Sequence, residues 1–264
     1  MKIKEITAFL EQIAPLGLQE SYDNAGLIVG DPERESTGAL ICLDSTEAVV
    51  REALQKGCNL VIAHHPIVFK GLKRINGNHY VERAVIAAIR HDVALYAIHT
   101  NLDNVFRNGV NQRLCEVLSL QDLTLLAPRP DGGERQVGAG MIGRWDAPKS
   151  EAEALRWIAD RLKTACIRHT PFLGRPVQRV AVCGGAGSFL LPEALKAGAD
   201  LYVSADFKYH EFFEADGRML IADTGHYESE QYTINLLFDL ISEKYPNFAL
   251  HCAKHNTNPV RYWV

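Results

Sequence analysis

The chain has 264 residues, 47% of them apolar and 23% charged, the composition of a folded globular protein rather than a disordered or membrane-embedded one. Its formal net charge of −4 gives no electrostatic footprint for nucleic acid, so recognition of a phosphate would need a local basic patch. No segment approaches bilayer length, and the six dispersed cysteines (Cys42, Cys58, Cys115, Cys166, Cys183, Cys252) read as buried free thiols of a reducing, cytoplasmic compartment.

The amphipathic start from Met1 to Leu10 reads as a surface helix and not a signal peptide. Asp23-Asn24-Ala25-Gly26 is a turn signal leading into a strand at Leu27–Val29. A second strand, Ala39–Leu43, ends in Asp44-Ser45-Thr46, where Ser45 or Thr46 can cap a helix from about Glu47 to Lys56 that Gly57 terminates. Leu60–Ala63 follows as a buried strand, and Pro66 stops it just after His64 and His65. Strand, helix and strand with short links form a βαβ unit, so the sheet here should be largely parallel. Tyr80–Arg90 reads as a helix, Val93–Ile98 as a strand ending in His99-Thr100-Asn101-Leu102-Asp103-Asn104, and Val110–Leu118 as another helix.

Ala127-Pro128-Arg129-Pro130-Asp131-Gly132-Gly133 is a clear composition break and is taken as the hinge between two halves, residues 1–126 and 127–264. Beyond it the pattern predicts a Gly-broken strand at Val137–Trp145 and a helix from the capping box Ser150-Glu151-Ala152-Glu153 to about Lys163. A strand at Val177–Val182 leads into a tight loop, Cys183-Gly184-Gly185-Ala186-Gly187-Ser188, and a helix at Phe189–Ala197. Further strands are expected at Leu201–Val203, Met219–Ala222 and Phe248–Cys252, with helix from about His226. Shifting Cys42–Ala63 by 141 positions lays it on Cys183–Ser204 with six identities and no gap, which shared βαβ grammar and internal duplication explain equally well. Either way two similar α/β halves follow.

Three strand ends carry polar residues in matching positions: His64-His65, His99 to Asp103, and Asp223-Thr224-Gly225-His226. In an open α/β sheet, ligands collect at such ends. Successive side chains of an extended strand point to opposite sides, so His64 and His65 are expected to serve two metals rather than one. Glu230 lies four residues after His226, which places both on one helix face. Singly each residue has a bland reading: a cap, a solvated acid, a hydrogen-bonded core histidine. Together, three imidazoles and two carboxylates favour zinc, iron, manganese or cobalt, and five ligands point to a pair of ions. Gly184–Ser188 can cradle a phosphate or be a plain tight turn, and Lys70, Lys73 and Arg74 can receive a phosphate or form a solvated basic loop. His99 and His210 are candidates for proton transfer or for orienting ligands, with a purely structural role open for each.

Ile62-Ala63-His64-His65-Pro66, His99-Thr100-Asn101-Leu102-Asp103-Asn104 and Gly225-His226-Tyr227-Glu228-Ser229-Glu230, in this order, resemble the GTP cyclohydrolase 1 type 2 homologues, the Nif3-like dinuclear metal-centre hexameric proteins. Asp23-Asn24-Ala25-Gly26-Leu27, Asp206-Phe207-Lys208-Tyr209-His210 and Asn258-Pro259 fit too, so the likeness spans the chain. The resemblance implies a Nif3-like α/β fold with a dinuclear metal site between two similar halves. The first half would carry His64, His65 and Asp103, the second His226 and Glu230. It implies two divalent ions per chain, one held by His65 and Asp103, the other by His64 and His226, with Glu230 bridging. It also implies a homo-hexamer, and the short passage from Pro128 to Val137 leaves no room for the domain that some relatives insert there. The function expected on this footing is metal-dependent hydrolysis of a nucleotide or another small phosphate- or ring-containing molecule, with catalytic roles for His99 and His210. The alternative is a non-catalytic hexamer that binds metal or a regulatory partner. No membrane association is expected.

Overall fold

The structure, a computed structural model, describes residues 1–130 and 136–263. It forms two compact units, one of Met1–Leu102 with Thr233–Pro259, the other of Asp103–Tyr232 with the tail from Val260. The boundary expected at residues 126/127 falls inside a strand, and the Asp131-Gly132-Gly133 part of the expected hinge lies outside the described residues, as does the final Val264.

In the first unit, α1 (Ile3–Ile13) buries the helical stripe Ile3, Ile6 and Leu10. The sheet contains β1 (Gly26–Val29), β2 (Ala39–Asp44), β3 (Leu60–His65), β4 (Ala94–Ala97) and, late in the chain, β11 (Leu250–Cys252), in the order β1-β4-β3-β2-β11. All neighbours pair in parallel except β1, which runs antiparallel to β4. The continuous apolar runs of β2, β3 and β4 are what a parallel sheet covered on both faces requires. On one face Leu40, Val61 and Leu95 pack against Val50, Ala53, Ala84 and Val85 of α2 (Glu47–Gln55) and α3 (Tyr80–Arg90). Thr46 caps α2, its hydroxyl accepting from the Val49 N–H at 3.5 Å, and Gly57 follows the helix at φ +71°. The short α4 (Thr100–Asp103) begins just past β4.

The second unit contains β5 (Gln121–Pro128), β6 (Gly138–Lys149), β7 (Arg168–His169), β8 (Val177–Ala186), β9 (Leu201–Ala205) and β10 (Leu220–Asp223), in the order β5-β6-β8-β9-β10-β7. Strands β8, β9 and β10 are parallel; β5, β6 and β7 join antiparallel. Alternate residues of the parallel core face opposite layers. Val180, Val182, Leu201 and Val203 pack with Leu114 of α5 (Val110–Val117) and Ile158 of α6 (Glu151–Leu162), while Ala181, Tyr202 and Ile221 pack with Leu191 and Ala194 of α7 (Leu191–Lys196). The capping box of α6 forms as expected, Ser150 N–H donating to Glu153 at 2.9 Å. The echoed segments are both parallel βαβ units, β2-α2-β3 and β8-α7-β9.

Three expectations need correction. Cys183–Ala186 is not a loop but the end of β8, and the helix beyond opens with a 3-10 turn at Ser188–Leu190. Gln121–Pro128, which carries no strong strand signal, is a mostly exposed edge strand that includes Ala127 and Pro128 of the expected hinge. Cys166 and Cys252 are only half-buried, whereas Cys42, Cys58, Cys115 and Cys183 are buried free thiols. The last two helices are α8 (His226–Glu230) and α9 (Thr233–Lys244), and among the described residues no helix is long and apolar enough to cross a membrane.

Candidate metal centre

In the first unit the ends of β3 and β4 bring three imidazoles together. One ring nitrogen each of His64, His65 and His99 lie within 4.8 Å of one another, and the ring centroids are 4.9–5.4 Å apart. Opposed Cβ directions therefore do not keep His64 and His65 apart, because each ring is steered by a partner of its own. His64 is fully buried with Nδ1 2.9 Å from the Ile98 carbonyl oxygen. A carbonyl only accepts, so Nδ1 carries a proton and Nε2 is the nitrogen turned away from that bond. His65 Nδ1 lies 2.8 Å from Oδ1 of Asp44, its register partner at the end of β2; the other Asp44 oxygen accepts from Thr257 Oγ1 at 2.5 Å.

His99 follows the same pattern, Nδ1 lying 2.8 Å from Oδ1 of Asp23. That carboxylate also accepts from the Asn24 N–H at 2.7 Å, the Thr100 N–H at 3.0 Å and the Thr100 hydroxyl. Burial opposes ionisation of Asp23, but the hydrogen bonds from His99 and Thr100 outweigh it and hold its pKa down to about 2. Asp23 is thus a fixed anion under the ring, and His99 Nε2 is the nitrogen left to act.

In the second unit the i, i+4 spacing works as the sequence suggests: His226 Nε2 lies 3.0 Å from Glu230 Oε2 on α8. Nδ1 of His226 lies 2.7 Å from Asp206 Oδ2 just beyond β9. Burial works against the imidazolium, yet the Glu230 charge and the hydrogen bonds to Asp206 and Glu230 raise its pKa to about 11. Glu230 is 3% exposed. It shares its neighbourhood with Asp103, since burial and then the charges of both carboxylates push up the Cys183 thiol.

The glycines of β8 explain how Glu230 comes so close. A Cβ on Gly185 would collide with Glu230 Oε1 and stand 3.2 Å from His226 Cε1; one on Gly184 would stand 3.2 Å from Glu230 Cγ. Gly185 also has φ +64°, a conformation that favours glycine. Their N–H groups are engaged, Gly184 with Asn111 Oδ1 at 3.0 Å and Gly185 with Ser229 Oγ at 2.9 Å. This segment therefore makes room for a carboxylate and is not a phosphate cradle. His210 is exposed in the 3-10 segment Tyr209–Ala215, its ring 5.1 Å from Tyr209 and 6.3 Å from Phe213, outside both groupings.

Sequence reading missed the anchors Asp23, Asp44 and Asp206 as site residues. Each was visible as an acid at a turn or strand end, and the parallel βαβ register alone places Asp44 opposite His65. The donor set fits a divalent transition-type ion: imidazoles whose Nδ1 is held by an oxygen, and carboxylates of which Glu230 is shielded from water.

Fold and site together define an α/β protein with two sheets and His/Glu groups of metal-ligating type. Residues 1–259 match the family Duf34/NIF3 (NGG1p interacting factor 3), and the chain belongs to it. Among its relatives, proteins named GTP cyclohydrolase 1 type 2 homolog from Clostridium perfringens and Lactococcus lactis are 32% identical over 247 residues and 31% identical over 264 residues. The alignments cover 92% and 98% of this chain, and the same shares of those relatives. The crystal structure of Staphylococcus aureus protein SA1388 superposes with TM-score 0.91 at 27% identity, covering 100% of this chain and 99% of that one. A Bacillus cereus protein related to NIF3 gives 0.90 at 24% identity, with the same coverage.

Proposed function

We propose that this protein is a metal-dependent hydrolase holding two divalent ions through His64, His65, Asp103, His226 and Glu230, and that it works as a homo-hexamer as the family resemblance implies. One observation carries the reading: His64, His65, His99 and His226 each have Nδ1 at 2.7–2.9 Å from an oxygen acceptor. Three of these rings, those of His64, His65 and His99, are thereby turned to offer Nε2, the arrangement expected of ligating and proton-handling histidines, while Nε2 of His226 lies 3.0 Å from Glu230. When bound, a metal pair lowers the pKa of water toward about 7 and polarises the bond under attack. The chain's own residues supply the rest. Asp44 and the Ile98 carbonyl orient two ligands, buried Glu230 and half-buried Asp103 supply negative charge, and His99, fixed by ionised Asp23, takes up a proton at Nε2. The exposed His210 enters this reading no further.

Elemental analysis of protein purified without chelator tests the assignment. The wild type is expected to carry about two ions per chain at saturation. Glu230→Gln, which keeps the shape and loses the charge, is expected to lose both, and His226→Ala to weaken mainly one, with folding checked by circular dichroism. If Glu230→Gln keeps two tight ions while Asp103→Asn loses both, Asp103 is the bridging ligand; a metal-free wild type under replete conditions would sink the reading.

A further inference from the structure

His65 has a second setting. It also lines a cavity of about 790 Å³ in the first unit, of the size that suits a small organic ligand. Much of the lining is apolar, with Pro66, Ile67, Leu72 and Val81, and two aromatic side chains join it, Phe69 and Tyr80, which are 43% and 55% exposed. Exposed rings at the wall of a cavity are stacking surfaces for a planar group.

The polar part of the lining points to an anion. Ser45 is 3% exposed, lines the cavity, and its hydroxyl makes no hydrogen bond among the described residues. That hydroxyl is free to donate to an acceptor oxygen that enters the cavity. Lys70 lines the same cavity and makes no ion pair among the described residues. Asp44 is the carboxylate of the lining, and both its oxygens are already engaged, by His65 and Thr257. Thr46, also in the lining, caps α2, so the positive end of that helix dipole lies at the cavity.

We propose that this cavity binds a phosphomonoester carrying a planar ring, the phosphate at Ser45, Lys70 and the first turn of α2, the ring against Phe69 and Tyr80. A phosphate dianion matches a hydroxyl, an ammonium and a helix N-terminus better than a carboxylate does, because it has three acceptor oxygens and more charge to place. Because His65 is part of the wall, a compound held here lies beside the imidazole cluster. What happens to it there rests on the metal-hydrolase reading; its binding does not.

The test is calorimetric titration of the full chain, as purified and after chelator dialysis, with adenosine 5′-monophosphate, adenosine, ribose 5-phosphate and inorganic phosphate. The mononucleotide is expected to bind at least about tenfold more tightly than any of the other three. Lys70→Ala and Ser45→Ala should each weaken the mononucleotide and ribose 5-phosphate about tenfold while sparing adenosine. Tyr80→Ala should weaken the mononucleotide and adenosine while sparing ribose 5-phosphate, and Tyr80→Phe should restore binding. Mononucleotide affinity unchanged in all three alanine variants, or absent in the wild type, overturns the proposal. So does binding that disappears with the metal and ignores the variants, which would place the phosphate on the ions instead. Metal content measured on the same samples separates the two readings. A metal-free protein that still binds through Lys70 and Tyr80 defeats the hydrolase reading alone; a two-metal protein with no such binding defeats the cavity assignment alone.

Discussion

Asp23→Asn is the most informative single change outside the metal ligands. The wild-type carboxylate is fully enclosed and accepts from His99, Thr100 and Asn24. Its pKa falls from 3.8 to about 2 on folding. That difference corresponds to about 2.5 kcal/mol of stability at neutral pH. Because the folded-state pKa is the lower one, the contribution is complete above the unfolded value and is lost as pH falls through about 2. At pH 3 roughly half, about 1.3 kcal/mol, should remain. The asparagine variant, which has no charge to lose and turns one N–H toward existing donors, is expected to be about 2–3 kcal/mol less stable at pH 7. The gap to wild type should narrow to about half by pH 3. Urea denaturation followed by far-ultraviolet circular dichroism measures this. Tryptophan fluorescence does not, because Trp145, Trp157 and Trp263 all belong to the other unit. A cost below about 0.5 kcal/mol at pH 7, or a gap that stays constant with pH, would refute the reasoning.

Gly185→Ala should cost about 1–3 kcal/mol, because the added methyl meets Glu230 Oε1 on a backbone with φ +64°. It should also cut metal content while the circular dichroism spectrum stays native-like, and full metal loading in that variant would show that the glycine is not needed to seat Glu230. For assembly, light scattering is expected to report a particle near six times the 29.4 kDa of one chain. A monodisperse monomer at micromolar concentration would count against the hexamer.

What the sequence determined by itself is local. Thr46, Gly57 and the Ser150/Glu153 box set helix ends, because capping is settled within four residues. Apolar runs at Ala39–Leu43 and Leu60–Ala63 announce buried parallel strands, and the His226/Glu230 spacing fixes one helix face. The three-part histidine and acid pattern was specific enough to reveal the family. Tertiary structure decided the rest, since the deciding partners are remote in sequence. Asp23 reaches His99 across 76 positions, Asp44 reaches His65 across 21, and Asp206 reaches His226 across 20. The glycines at 184 and 185 read as a turn until Glu230, 45 residues beyond Gly185, is seen to occupy the space they leave. Strand β5 escaped because an exposed edge strand buries too little to impose an alternating pattern. Caps and periodicity are short-range properties and can be read along a chain. The orientation of an imidazole is set by whichever oxygen the fold brings to its Nδ1.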